Sequence, residues 1–192
     1  VAGEDGRQVR LIANARQLLL WRTDGSWGMI EKDTLRSGGT QALLIPTDGA
    51  APQVLPVPTG GFIIADNRGE VHHWDLTTLR HLPESPVAEL AGSHPVAGLV
   101  TESGHIAVAT GHRGLIVLDQ TGRLVEKFDE ATGIDPNCLA LAEDREHGVW
   151  LGTNYGLARI EFDTPYSLFL RREGISRSPF RSFCRHDGAL FG

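Results

Sequence analysis

One type of segment occurs three times in this chain, and its period constrains the fold more than any other feature. The three copies occupy residues 61–69, 106–114 and 148–156, and each closes on a glycine. The closing glycines recur roughly every 40 to 45 residues. A further copy begins near Gly188. A period of this length indicates a supersecondary unit that repeats along the chain.

Each copy has the pattern of a β-hairpin. A short apolar run precedes a turn that ends in glycine, and a second such run follows, at 70–75, 115–119 and 157–162. Glycine is expected at this point because short hairpin turns require positive φ, which costs other residues steric strain. Another apolar stretch lies before each hairpin, and a fourth lies after it. The repeat therefore predicts four antiparallel strands per unit.

Four strands per repeat at this period predict a β-propeller, in which each repeat forms one sheet, or blade. No stretch shows the 3.6-residue period of a long helix, so we predict an all-β fold. We expect about three to four blades, as a fragment of a larger, roughly seven-bladed propeller. The predicted blade-like units are approximately 1–32, 53–82, 95–128 and 137–171, with a truncated unit at 180–192 and an irregular connection at 33–52 that holds one extra strand at 42–45.

The charge and apolar patterns argue against two classes of partner. The formal net charge is −6 and no segment concentrates Lys and Arg, so the basic surface that a phosphate backbone requires is missing. No apolar run approaches the roughly 20 residues that span a bilayer. We therefore expect neither nucleic-acid binding nor membrane insertion by this segment.

The sequence predicts no cofactor and no metal site. Cys138 and Cys184 lie in apolar, strand-like contexts without the paired spacing of zinc ligands, and we expect both to be buried thiols. His72 and His73 are neighbours in a strand, so their side chains point to opposite faces and do not share an ion. The acidic stretch 143–146 lacks the alternation of a calcium loop and predicts a solvated turn.

The segment 137–162 resembles the two-component regulator propeller repeat. The matching pattern is an aspartate, a glycine, a Trp followed by Gly-Thr, and a Gly-Leu pair, namely Asp144, Gly148, Trp150, Gly152, Thr153, Gly156 and Leu157. In that family such repeats form the sensor region of bacterial hybrid histidine kinases and related regulators. The resemblance implies a periplasmic or extracytoplasmic location, while a cytoplasmic one stays open. It also implies that any kinase or cyclase output lies outside this chain, that Trp150 packs between sheets and that Asp144 caps a turn.

Candidate ligand-binding residues lie on one face of the predicted propeller. This face carries the turns between second and third strands and the loops that lead into each new blade, which converge around the axis. Their polar side chains are suited to a carbohydrate, a small anion or a protein segment, and they are also typical of ordinary solvated loops. The predicted residues are Asn67, Arg68, His94, His112, Arg113, Asn137, Asn154, Tyr155 and Arg177.

Three functions stay open at this point. The first is a non-catalytic, ligand-sensing segment of a bacterial signal-transduction regulator, and the second is a scaffold for protein–protein interaction. The third is a quinoprotein-like or other propeller enzyme, for which the stretch 119–128 is the only hint and no G-x-S-x-G motif is found. A partial ring leaves two apolar blade faces uncovered, so we also expect the rest of the propeller, or a second copy of the chain, as a partner.

Overall fold

The computed structural model describes residues 9–13, 18–22, 26–31, 34–37, 52–162, 184–186 and 189–191. These residues form antiparallel strands with two short helical segments between them. The predicted all-β class is confirmed. Two compact units are distinguished, Val1–Phe162 and Asp163–Gly192, and each is described by itself.

The first sheet has four strands, and this corrects the predicted boundaries of its unit. Its strands are β1 (Val9–Ala13), β2 (Leu18–Arg22), β3 (Trp27–Glu31) and β4 (Thr34–Ser37), which pair in that order. The prediction ended this unit at residue 32 and began an irregular connection at 33, whereas β4 pairs with β3 through Leu35 and Ile30. The predicted unit 1–32 therefore contains β1, β2 and β3 and omits β4. The predicted strand at 42–45 lies outside the described residues.

The second and third sheets also have four strands each, paired in chain order. The second contains β5 (Gln53–Pro56), β6 (Phe62–Ala65), β7 (Val71–Trp74) and β8 (Leu79–His81). The third contains β9 (Pro95–Val100), β10 (Ile106–Thr110), β11 (Leu115–Leu118) and β12 (Leu124–Phe128). A short helix α1 (Val87–Leu90) lies in the loop between these sheets, and a 3₁₀ turn (Glu130–Thr132) follows the third sheet.

The fourth sheet has three described strands, β13 (Cys138–Glu143), β14 (Val149–Thr153) and β15 (Gly156–Ile160). The fourth strand expected near 167–170 lies outside the described residues. In the second unit, β16 (Cys184–His186) and β17 (Ala189–Phe191) pair as an antiparallel hairpin.

Within Val1–Phe162, neighbouring sheets meet at their first strands. β1 contacts β5, β5 contacts β9 and β9 contacts β13. The first strand of each sheet is therefore the inner one and the fourth is the outer one, which is the arrangement of propeller blades. The core lies between the sheets, and its central residue between the first and second sheets is Trp74, which is fully buried against Trp21 and Trp27.

The hairpin glycines are required both by conformation and by space. Gly69 has φ +90°, and a Cβ built there would lie 2.7 Å from the carbonyl oxygen of Val87. Gly114 has φ +80°, and its Cβ would lie 2.0 Å from the carbonyl oxygen of Phe128. Any larger residue would therefore adopt a strained φ and collide with backbone.

The structure confirms the predicted role of Asp144 and corrects that of Trp150. Asp144 Oδ1 accepts the backbone N–H groups of Glu146 (3.0 Å) and Gly148 (2.9 Å), so it closes the β13–β14 turn. Trp150, which was expected to pack between sheets, is 41% exposed. Its neighbour Leu151 is buried against the third sheet. Because side chains alternate along a strand, Trp150 points to the opposite face of the fourth sheet.

Candidate ligand-binding loop face

One end of the sheets carries most of the predicted binding residues. The β6–β7, β10–β11 and β14–β15 turns lie at this end, together with the loops that lead into β9 and β13, because successive antiparallel strands reverse direction. We call this end the loop face. Backbone hydrogen bonds tie neighbouring loops together, from Gly92 N–H to the Asn67 carbonyl (2.8 Å) and from Gly114 N–H to the Pro136 carbonyl (2.9 Å).

Three predicted residues come together between the second and third sheets. Asn67 Oδ1 accepts the backbone N–H of His94 at 3.0 Å, and the His94 carbonyl accepts the N–H of Gly111 at 2.9 Å. The rings of His94 and His112 lie edge to face, with centroids 5.0 Å apart, and both side chains are exposed. His94 has φ +53°, a left-handed conformation that these two hydrogen bonds hold in place. The result is a pair of exposed imidazoles in contact with each other.

Arg113 and Arg68 belong to the same region but have different environments. The Arg113 guanidinium donates to the carbonyl oxygens of Ala88 (2.6 Å) and Glu89 (3.4 Å), so it links the third sheet to helix α1. Arg68 is exposed in the β6–β7 turn, where its backbone N–H donates to Asp66 Oδ1 (3.0 Å). Arg113 therefore serves loop structure, whereas the Arg68 side chain is open to solvent.

A groove of about 470 Å³ lies beside the fourth sheet, and Tyr155 is the predicted residue that lines it. The Tyr155 side chain is 91% exposed, and its backbone N–H donates to Thr153 Oγ1 at 3.2 Å. Asn154 is exposed in the same turn. The backbone N–H of Asn137 donates to Asp135 Oδ1 (2.8 Å), which shapes the opposite wall. Arg177 lies outside the described residues.

A charged link between a strand and two loops of this face has no signal in the sequence. Lys127 Nζ lies 3.1 Å from Glu89 Oε2 and 3.3 Å from Asp129 Oδ2. The hydrogen bond with Glu89, together with that of Asp129, raises the pKa of Lys127 above its ordinary value. Glu89 is far from Lys127 and Asp129 in sequence and shares no motif with them, so only the fold reveals this link.

Further observations concern the titratable side chains, the thiols and the faces of the strands. Among the described residues, no group of three or more His, Cys, Asp and Glu side chains is arranged to hold a metal ion. Cys138 is buried as predicted, and burial, helped by Asp135, raises the pKa of its thiol to about 11. Cys184 lies on β16, and the prediction that its side chain is buried falls outside the part of the chain whose side chains the structure describes. His72 packs edge-on against His81, whereas His73 pairs across the strands with Arg80.

The stretch 119–128 that hinted at a quinoprotein turn has a structural explanation. Asp119 Oδ1 accepts the backbone N–H groups of Thr121 (2.8 Å) and Arg123 (3.0 Å), so Asp119 closes the β11–β12 turn.

No helix in the part of the chain described is long and apolar enough to cross a membrane.

No protein-family model matches the chain, and no curated protein sequence matches it. Many solved structures are similar to this chain. The WD40 β-propeller domain of Doa1 matches with a TM-score of 0.55 at 14% identity, over 74% of this chain and 45% of its own length. Virginiamycin B lyase from Staphylococcus aureus, in a catalytically inactive form with quinupristin, matches with a TM-score of 0.54 at 12% identity. The match covers 86% of this chain and 59% of the lyase chain.

A third neighbour is the extracellular domain of BT3049 from B. thetaiotaomicron, a protein assigned to the hybrid two-component systems. It matches with a TM-score of 0.54 at 16% identity, over 97% of this chain and 24% of its own length. The chain thus spans less than two thirds of each of these three neighbours. Likeness at such identities shows the fold alone, and the predicted all-β propeller fragment is confirmed.

Proposed function

We propose that this chain is a ligand-sensing propeller segment of a bacterial signal-transduction regulator, located outside the cytoplasm. The observation that carries the proposal is the exposed imidazole pair His94–His112 on the loop face. The loops that carry both rings are hydrogen-bonded to each other through their backbones, and the two rings contact each other edge to face, so the loops bring two imidazoles together for a ligand. Such preorganisation lowers the entropic cost of binding.

The loop face favours a polar ligand, either a carbohydrate or a small anion. Each neutral imidazole offers one donor and one acceptor, which suits sugar hydroxyls, and a protonated ring offers two donors to an anion. The exposed ring of Tyr155 provides a flat apolar surface with a hydroxyl at its tip, on which a sugar ring can stack.

The signalling part of the proposal rests on two supports. The segment 137–162 resembles the two-component regulator propeller repeat, and the fold of BT3049's extracellular domain is similar to that of this chain. In this proposal the loop face detects a ligand, and any catalytic output belongs to another part of the regulator.

The test is a ligand screen with a matched pair of histidine variants. Sugars and small anions are screened for an increase in melting temperature, since a ligand that binds only the folded state stabilises it. His94→Asn and His147→Asn both replace a histidine of positive φ by a residue that tolerates this conformation, but only His94 lies on the loop face. We expect His94→Asn and His112→Ala to abolish the increase and His147→Asn to retain it. A hit that responds equally in all three variants would remove the loop face as the site.

A protein-interaction scaffold is the second candidate, favoured by exposed apolar side chains at the fourth sheet. Tyr155 and Leu157 are 91% and 76% exposed and both line the groove of about 470 Å³. An extensive screen without any stabilising small molecule, together with a partner protein whose binding is lost in Leu157→Lys, would favour the scaffold over the sensor.

A further inference from the structure

A second cavity lies at the opposite end of the sheets from the loop face. Its volume is about 310 Å³, and it opens between the second and third sheets beside the β5–β6 and β9–β10 turns. We call it the inter-sheet cavity. Its volume is at the lower end of the range of roughly 300 to 1,000 Å³ that is typical of small-molecule sites.

The inner wall of the inter-sheet cavity is apolar. Ile63 lies on β6 of the second sheet, and Leu82 directly follows β8. Val100 and Ile106 lie on β9 and β10 of the third sheet, and all four side chains line this wall. All four side chains belong to the buried core between these sheets. A hydrocarbon group that enters the cavity would therefore contact the core and leave water.

The outer wall carries a cation. Arg80 and His73 are cross-strand partners on β8 and β7, and His73 is also the partner of Ile63 on β6, so all three share one face of the second sheet. Arg80 is exposed, and it has neither an ion pair nor a side-chain hydrogen bond within the described part of the chain. Its guanidinium is therefore available to an anionic group, which it can bind through two parallel hydrogen bonds.

The opposite rim carries an amide, from Gln120, and a carboxylate, from Glu102. The Gln120 amide packs over Gly104, where a Cβ would lie 2.1 Å from Gln120 Nε2. The Glu102 carboxylate lies 3.7 Å from His147 Nδ1, and the Glu102 backbone N–H donates to Glu143 (3.0 Å). These contacts connect Glu102 to the fourth sheet, and Arg80 is the cation of the cavity lining.

We propose that the inter-sheet cavity binds a small organic carboxylate with an apolar body. The carboxylate pairs with Arg80, the Gln120 amide donates a further hydrogen bond at the rim, and a single ring or short alkyl chain rests on the apolar inner wall. This site is separate from the loop face, since it is formed by the turns at the other end of the same two sheets. A bound ligand would contact both sheets at once.

The test uses benzoate and hexanoate as probes, with benzyl alcohol, hexanol and acetate as references, in calorimetric titration of the full chain. We expect both acids to bind, and Arg80→Gln to weaken binding by about tenfold, the loss of one charge-assisted pair. Arg145→Gln, which changes an exposed arginine that does not line the cavity, is the matched control and should leave binding unchanged. Gln120→Ala should weaken binding by a smaller factor.

Three results would overturn the proposal. Failure of both acids to bind at millimolar concentration would remove the site, and equal binding to Arg80→Gln would remove the ion pair. Acetate or the alcohols binding as well as the two acids would remove the combined requirement for a charge and an apolar body. Circular dichroism of each variant establishes that it is folded, and loss of binding in Arg145→Gln alone would place the probes outside the cavity instead.

Discussion

At the scale of single residues, aspartates at the ends of strands close the turns of this protein. Asp66, Asp119 and Asp144 each accept, through Oδ1, the backbone N–H groups two and four residues further along the chain. Asp75 closes its turn in a similar way, and hydrogen bonds from Thr77 and Thr78 lower its pKa to about 2. The same device thus recurs in three sheets.

Asp144 predicts a defined pH dependence of stability. The Arg159 guanidinium, together with the turn N–H groups and the Trp150 indole, holds the pKa of Asp144 well below its ordinary range. A carboxylate with a lowered pKa in the folded state stabilises the fold above its unfolded pKa of about 4, and this contribution is lost as the pH falls through the folded pKa. Asp144→Asn removes the charge. We expect it to lower the melting temperature at pH 7 by a few degrees, with the difference from wild type shrinking below about pH 4.

Thermal unfolding of both proteins between pH 7 and pH 2.5 measures this difference. Arg123→Gln, which breaks the exposed ion pair with Asp119, is the control and should show a much smaller effect at every pH. A deficit for Asp144→Asn that stays constant across the range would contradict the electrostatic origin.

Two tryptophans give a second prediction at this scale. Trp74 is fully buried and packs against the rings of Trp27 (4.8 Å), Phe62 (5.7 Å) and Trp21 (6.4 Å), whereas Trp150 is partly exposed. We expect Trp74→Ala to reduce the free energy of unfolding by about 3–5 kcal/mol, because it leaves a cavity between the first two sheets. Trp150→Ala should cost clearly less, and equal costs in urea unfolding would contradict the assignment of the core.

At the scale of elements, the repeat predicted the glycine-closed hairpins and the strands on either side of them, and it left out β4. The hairpins around Gly69, Gly114 and Gly156 are found where the repeat placed them. β4 has a single apolar side chain, Leu35, so no apolar run marks it in the sequence. The meeting of His94 with His112 follows from loop packing between two sheets, for which the sequence has no local signal. The exposure of Trp150 depends on which face a neighbouring sheet covers, and a strand pattern alone does not carry that information.

The β10–β11 turn provides a prediction at the element scale. Gly114 has positive φ and no room for a Cβ, whereas a Cβ on Gly111 in the same turn would approach no atom closer than 3.7 Å. We expect Gly114→Ala to destabilise the fold by at least about 1–3 kcal/mol, the cost of a strained backbone, with the backbone collision adding to it. Gly111→Ala should be nearly neutral in urea unfolding. If both variants unfold at the same urea concentration as wild type, the turn is not under the constraint described.

At the scale of the whole molecule, the outer faces of the first and fourth sheets both carry exposed apolar side chains. Leu11 is 62% exposed on the first sheet, and Leu157 is 76% exposed on the fourth. Leu11 is paired with Leu20, whereas the neighbouring Leu19 is buried against the second sheet, so Leu11 points away from that sheet. In a propeller such faces are covered by adjacent blades, since each repeat is stabilised by its neighbours.

The 192-residue chain on its own is therefore predicted to self-associate into a composite ring through these faces. Sedimentation velocity and light scattering should show a dimer or larger species, and Leu157→Lys should shift the population toward monomer, because it places a charge on an apolar contact. Val125→Lys is the matched control. Val125 is an exposed apolar residue on β12 of the third sheet, so it does not belong to the outer face of the first or fourth sheet. If the wild-type chain is a monodisperse monomer, or if the two lysine variants have equal effects, association through the outer faces of the first and fourth sheets is contradicted.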